Sequence, residues 1–567
     1  MPLATPPGPG LAAPGSNPGR GARQSQLGVL GWTALVVALL ILAPIAAVVG
    51  NVFLPGASTW AHLAATVLPA YVGNTVWLLL GVSAGVISIG VLAAWLVSAY
   101  RFPGRRVLEW ALILPLAMPA YVMAYAYTDW LQFTGPVQSS LRELTGWQAR
   151  EYWFPEIRSL YGAAAMFSLA LYPYVYLLAR NAFLAQSRSS VEAARLAGLG
   201  PWGSFFRAAL PLARPSIAAG TALALMETLS DFGVVSYFAI ETFTTGIFKA
   251  WLSLGDLVAA AQLATCLIGF VIVVLALERW NRRGARYHDT SLRKPQPAQR
   301  LRGVAAAAAC LACGAPVLFG FVLPAAILLR LALDADAPAS GTRILALVSN
   351  TFSLAAITAI VAIVLAVMLG YAARLSTGRL VTWASRGAAL GYAIPGAVIA
   401  VGIMAPLGRL DNAFAGWLDG AFGIDVGLLF TGTIAALVYA YIVRFLAVAL
   451  QSVEAGLARV TPSMDDAARS LGVGPFATLR RVHAPLLSTS LLTAALLVFV
   501  DTMKELPATL ALRTLQLRHA RRRRLHPHPG RAAGRSRPAV ARDRRGRPVA
   551  AGPGLAPHSP GAELSLS

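Results

Sequence analysis

The chain has 567 residues, is 57% hydrophobic and only 13% charged, and has a mean hydropathy of +0.63. That leaves too little polar surface for a soluble globule and points to a polytopic membrane protein. The net charge of +23 does not require an anionic partner: residues 513–567 hold 13 Arg against two acidic residues and supply +11, leaving +12 that cytoplasmic loops account for.

Residues 1–29 begin with a Pro- and Gly-rich stretch, "MPLATPPGPGLAAPGSNPGRGARQSQ", that reads as a disordered N-terminus. The apolar run behind it is longer than a signal-peptide core and lacks a small-residue cleavage site, so it is taken as an uncleaved first span. A helix needs about 20 mostly apolar residues to cross a bilayer. Runs of that length lie near 30–51, 74–100, 107–131, 160–184, 216–238, 257–280, 303–331, 350–374, 384–407, 427–450 and 487–510, which makes eleven.

Basic residues set the orientation. Arg20 and Arg23 precede the first span, Arg101, Arg105 and Arg106 follow the second, and a series from Arg188 to Arg214 follows the fourth. By the positive-inside rule these segments are cytoplasmic, and so is the N-terminus. The linker 281–300 and the loop holding Arg459, Arg469, Arg480 and Arg481 then fall on the same side. Cys266, Cys310 and Cys313 sit inside apolar runs. Without accompanying His or a second Cys pair, they read as helix packing and not as a disulfide or a metal site.

An internal repeat spans half the chain. "EAARLAGLGPWGSFFRAALPL" (192–212) aligns without a gap on "DAARSLGVGPFATLRRVHAPL" (466–486), a shift of 274. The same shift places Glu227 on Asp501 and Asp231 on Glu505. Asn74 matches Asn350 and Pro119 matches Pro395 at a shift of 276. The expected organisation is therefore a first unit over 30–280, a linker over 281–300 and a second unit over 301–512, with the repeated loops near 190–214 and 464–488. Such a loop can present an amphipathic helix to a groove on a soluble partner, or lay it on lipid headgroups.

Ionisable residues inside spans suggest a pathway or an interhelix contact. Glu227 and Asp231 are four apart, as are Asp501 and Glu505, and would share a helix face, with Lys504 as a counter-charge. These two acidic pairs either line a central route or bond neighbouring helices. No G-x-x-x-x-G-K-[ST] phosphate loop occurs, so energy from ATP would have to come from a partner and the chain itself is not expected to be an enzyme.

The repeated loop resembles the EAA loop of binding-protein-dependent ABC importer permeases. The double-length chain, with "METLSDFGVVSYFAIETFTTGIFKAW" and "VDTMKELPATLALR", is similar to the ferric-iron transport permeases over roughly residues 30–512. The resemblance implies an all-α fold of two tandem six-helix units in the bacterial inner membrane, related by a pseudo-twofold. It also implies a cytoplasmic ATPase in two copies that uses ATP, a periplasmic binding protein that delivers substrate, and no cofactor or metal held by this chain. Carried over from the motif, the ATPase-coupling residues are Glu192, Ala193, Ala194 and Gly198, and Asp466, Ala467, Ala468 and Gly472, with Asp466 replacing the usual Glu. Ferric iron is the expected substrate, with thiamine, polyamine or another solute as alternatives. A secondary transporter driven by an ion gradient is the rival from another class.

After residue 512 the repeat should give an outer loop and a twelfth span. Residues 513–567 instead bring Arg, Pro, Gly and His and no apolar run long enough to cross. A one-base shift in a permitted coding of 514–531 yields "PFNFDTLAVAVYTLTRD", which places Tyr opposite Trp251 and Asp opposite Asp256. The tail is accordingly expected to be out of frame, which would leave eleven spans and an impaired transporter. The alternative, a basic tail on anionic lipid or nucleic acid, is disfavoured by its position outside the cytoplasm and by the lack of interleaved aromatics. No nucleic-acid partner is expected.

Overall fold

The computed structural model describes residues 29–51, 58–148, 151–185, 200–282, 299–334, 341–375, 379–423, 430–431, 433–510 and 512. Long apolar stretches become helices because a helix bonds its own N–H and C=O groups where no water can. In chain order the principal helices begin with α1 (Val29–Gly50), α2 (Leu68–Ala99), α3 (Arg105–Ala111), α4 (Ala120–Leu131), α5 (Leu160–Ala185), α6 (Leu210–Ser230) and α7 (Leu257–Arg282). They continue with α8 (Gly303–Val317), α9 (Leu323–Leu333), α10 (Gly341–Leu375), α11 (Arg379–Ala388), α12 (Gly396–Phe422), α13 (Ile434–Leu457), α14 (Pro462–Ser470) and α15 (Ala484–Lys504). Among the described residues, ten helices are long and apolar enough to cross a membrane, with α8 and α9 forming one of them across a π turn. An eleventh is present if the bent pair Arg105–Ala117 and Ala120–Thr145 counts as one span.

Three of the expected spans differ from a straight helix. The run at 107–131 is broken, with an angle of 91° between its two parts. Pro119 lacks an N–H and forces the residue before it out of the helical region, so Met118 is extended at φ −92°, ψ 115°. The run at 384–407 breaks the same way at Ile394 and Pro395, and its long helix begins only at Gly396. The run at 216–238 ends at Ser230, because Asp231 turns extended.

The repeat is drawn in the backbone. Helices α6 and α15 begin and end at positions 274 apart, and so do the π turns that precede them, Phe205–Ala209 and Leu479–His483. Both proline breaks are preceded by a 3-10 turn, Leu114–Ala117 and Ala389–Ala393.

The sequence halves interpenetrate. Helix α1 packs on α10, α11 and α12, while α8 packs on α2 and α3, and α9 on α4. The exchanged contacts are close. A Cβ on Gly402 would sit 2.3 Å from the Pro44 carbonyl oxygen, so only glycine lets α12 approach α1 there. The Tyr439 hydroxyl donates to the Leu40 carbonyl at 2.6 Å, and the Tyr127 hydroxyl to the Phe319 carbonyl at 2.6 Å. Where the chain enters α8, Gln299–Arg300 pairs in parallel with Tyr100–Arg101, the one β element among the described residues. Buried side chains form two clusters, one centred on α2, α5 and α6 with α8, the other on α10, α13 and α15 with α1 and α7. Cys266, Cys310 and Cys313 are unpaired, and Cys313 is buried in the first of these clusters.

One pair of equivalent positions differs sharply. On α2, Tyr71 is 2% exposed under Phe243 and beside Gly246, and the Asn74 amide donates to the Glu241 carbonyl at 2.8 Å. On α10 the equivalent Leu347 is 51% exposed, and Asn350 beside it is exposed too. The counterparts of Phe243 and Gly246, residues 517 and 520, belong to the tail 513–567. That tail, and with it the expected frameshift, lies outside the described residues.

Candidate functional site

The helix breaks converge on one cavity of about 110 Å³. Its wall includes Leu116, Met118 and Tyr121 from the first proline break, Ala170 and Tyr174 from α5, Glu227 and Asp231 from the end of α6, Arg444 from α13, and Asp501, Lys504 and Glu505 from the end of α15. All four acidic residues singled out in the sequence thus meet in one place.

They do not meet as two faces of continuous helices. Asp231 and Glu505 lie one residue past their helices with extended backbones, ψ 134° and 104°. Each carboxylate caps the next stretch of chain: the Val234 N–H donates to Asp231 Oδ1 at 2.7 Å and the Ala508 N–H to Glu505 Oε1 at 3.2 Å. A short acceptor at the start of a new helical segment satisfies an amide that would otherwise be unpaired.

The main counter-charge is Arg444, which sequence reasoning did not select. It is 5% exposed, and its guanidinium lies 2.9 Å from Glu505 and 3.8 Å from Glu227. The Tyr392 hydroxyl also donates to Glu227, at 3.2 Å. Lys504, the expected counter-charge, lines the same cavity as Asp501 and Glu227 and also donates to the Leu116 carbonyl in the broken segment. Arg444 left no mark in the repeat because its counterpart at a shift of 274 is Ala170. The signal that could have found it is a lone arginine inside an apolar run. Gly396 makes room for the pair: a Cβ there would lie 2.2 Å from Glu505 Oε1 and 2.6 Å from Arg444 Nη1.

Chemically the chamber sets four carboxylates against the cations Arg444 and Lys504. No group of three or more His, Cys, Asp or Glu among the described residues is gathered to hold a metal ion.

The second repeated loop is built to be rigid. Helix α14 carries Asp466, Ala467 and Ala468 and is followed by Gly472 at φ +72°, a left-handed backbone that suits glycine. Asp465, beside the motif, is pinned by Arg374 at 2.8 Å and by His483 Nε2 at 2.7 Å. Arg374 also donates to the Leu457 and Val460 carbonyls, and the Tyr371 hydroxyl to the Pro475 carbonyl, each at 2.8–2.9 Å. Asp466 itself is exposed and pairs with Arg469. Beyond the loop, Phe476 is 77% exposed, and its counterpart Trp202 is 66% exposed. Glu192, Ala193, Ala194 and Gly198 of the first loop lie outside the described residues.

The family model described as a binding-protein-dependent transport system inner membrane component matches residues 86–287. The Fe(3+)-transport system permease protein FbpB 2 of Haemophilus influenzae is 26% identical over 451 residues, covering 77% of this chain and 80% of that protein. A probable molybdenum ABC transporter permease protein of Haloferax volcanii is 31% identical over 193 residues, 34% of this chain and 67% of its own length. The molybdenum transport system permease protein ModB of Escherichia coli is 29% identical over 203 residues, 35% of this chain and 86% of its own length.

Proposed function

Because the chain belongs to the family of binding-protein-dependent inner membrane components, the permeases of ABC importers, we propose that it carries ferric iron from a periplasmic binding protein to the cytoplasm. Two copies of a separate ATPase drive the transfer. The observation that carries this reading is the meeting of Glu227, Asp231, Asp501 and Glu505 around one cavity at the helix breaks. Hard trivalent iron favours carboxylate oxygen over softer donors. The long match to an Fe(3+)-transport permease supports the same cargo.

Coupling runs through the two loops that contain Glu192, Ala193, Ala194 and Gly198, and Asp466, Ala467, Ala468 and Gly472. Each loop seats on one ATPase copy, with Trp202 and Phe476 as apolar contacts. With the N-terminus cytoplasmic, these loops face the ATPases. Closure of the ATPase pair around ATP then moves α14, which Arg374 ties to α10, and the movement reaches α15 and its terminal Glu505. The chain holds no cofactor of its own, and ATP is consumed by the partner.

A second reading, an anionic cargo, is favoured by Arg444 and Lys504 in the same cavity. The test is uptake into vesicles that contain the full complex with its ATPase and binding protein. Radioactive ferric iron is expected to accumulate with ATP, and molybdate is not. Accumulation of molybdate without iron would replace the first reading with the second, and uptake without ATPase would indicate a secondary transporter.

A further inference from the structure

We propose that Arg444 is the latch of the chamber: it holds carboxylates from the two halves together, and a cationic cargo passes only by taking its place. The inference rests on the reading of the cavity as a transport path and adds a positioning residue to it.

Four observations carry it. First, Arg444 joins the halves. The ion pairs Arg180–Glu109, Lys249–Glu241 and Arg374–Asp465 each lie within one half, whereas Arg444 of the second half reaches Glu227 of the first as well as Glu505 of its own. Second, the two grips are unequal. The contact to Glu505 is a hydrogen bond at 3.0 Å, that to Glu227 is a looser 3.8 Å, and the buried Nε of Arg444 has no hydrogen-bond partner. A guanidinium with an unused donor and one long contact is poised to exchange partners.

Third, the latch is single. Its pseudo-equivalent is Ala170, so opening requires one side chain to let go and not a symmetric pair. Fourth, both partners of Arg444, and the tyrosine that donates to one of them, sit where backbone is broken or ending: Glu227 near the end of α6, Glu505 just past α15, and Tyr392, bonded to Glu227, in the turn before Pro395. Movement of α15 against α6 lengthens the Glu227 contact first. The carboxylate freed in this way is the one a cation can enter, while a guanidinium competes for it. On this account the chamber selects cations because they displace Arg444 from its acids, and anions do not.

The test uses the reconstituted complex with Arg444→Lys, Arg444→Gln and the charge-balanced double variant R444Q/E505Q, which leaves the net charge of the site unchanged should the single change fail to fold. ATP hydrolysis without binding protein is read beside iron uptake. R444Q, or the double variant in its place, is expected to raise hydrolysis without binding protein about fivefold or more and to lower iron carried per ATP, whereas R444K stays near the unaltered protein. Hydrolysis and coupling unchanged in R444Q or the double variant overturn the latch, and so does an R444K that behaves like R444Q. If the unaltered complex carries molybdate and no iron, the cargo reading fails and with it the displacement of Arg444 by cations, while the hydrolysis comparison, which does not use iron, still tests whether Arg444 holds the two halves together.

Discussion

The Arg374 side chain reaches Asp465, the Leu457 carbonyl and the Val460 carbonyl from the end of α10 and so fixes the segment that leads into α14. A hydrogen bond to a charged group contributes about 1.5–3 kcal/mol when removal leaves its partner unpaired. Arg374→Ala is therefore expected to lower the melting temperature in detergent only moderately while disrupting ATPase-coupled transport strongly. Equal loss of stability and of coupling would reduce Arg374 to a packing residue. At this scale the sequence was uneven. The acids Glu227, Asp231, Asp501 and Glu505 were legible because they repeat and because charge is rare in apolar runs. Arg444 and Arg374 were not, since their importance depends on which helices face them, and no spacing along one helix reveals that.

At the scale of elements, what repeats is as much the interruptions as the helices. Hydropathy alone carried the fifth expected run on to residue 238, since "FGVVSYFA" is apolar, yet the backbone leaves the helix at Asp231. The prolines at 119 and 395 were paired by the repeat, and their local effect comes from the missing N–H. The break that brings Tyr121 to the cavity is placed by Pro119, but its angle of 91° is not set by any one residue. Docking belongs to this scale as well. Trp202 and Phe476 stand exposed at equivalent positions beside the repeated loops. The double variant W202A/F476A is expected to fold and to insert normally but to lose most of its co-purified ATPase. Retention of the ATPase at unaltered stoichiometry would move the docking surface elsewhere.

Over the whole molecule, the repeat predicts two units and the packing joins them. Because α1 sits among α10, α11 and α12, and α8 and α9 among α2, α3 and α4, cutting the linker should not separate the pieces. A protease site placed within 283–298 is expected to yield two fragments that co-elute in detergent. Elution as separate fragments would contradict the exchange. The repeat unit was legible in the sequence, but the exchange was not, because apolar helices carry no address for their neighbours. The exposed first turns of α10, where the equivalent start of α2 is packed, are the point at which the two copies diverge.

The exchanged helices also set an order of assembly. During synthesis α2, α3 and α4 emerge well before α8 and α9, so the surface centred on Tyr127 and Pro103 must wait in the membrane until residues 303–333 are made. The reverse holds for α1, which is made first and finds its seat against Gly402 only after some 350 further residues have been added. A ribosome that stalls in the linker therefore leaves a chain in which α1 to α7 are all present and whose packing is open on two sides, a natural substrate for membrane quality control.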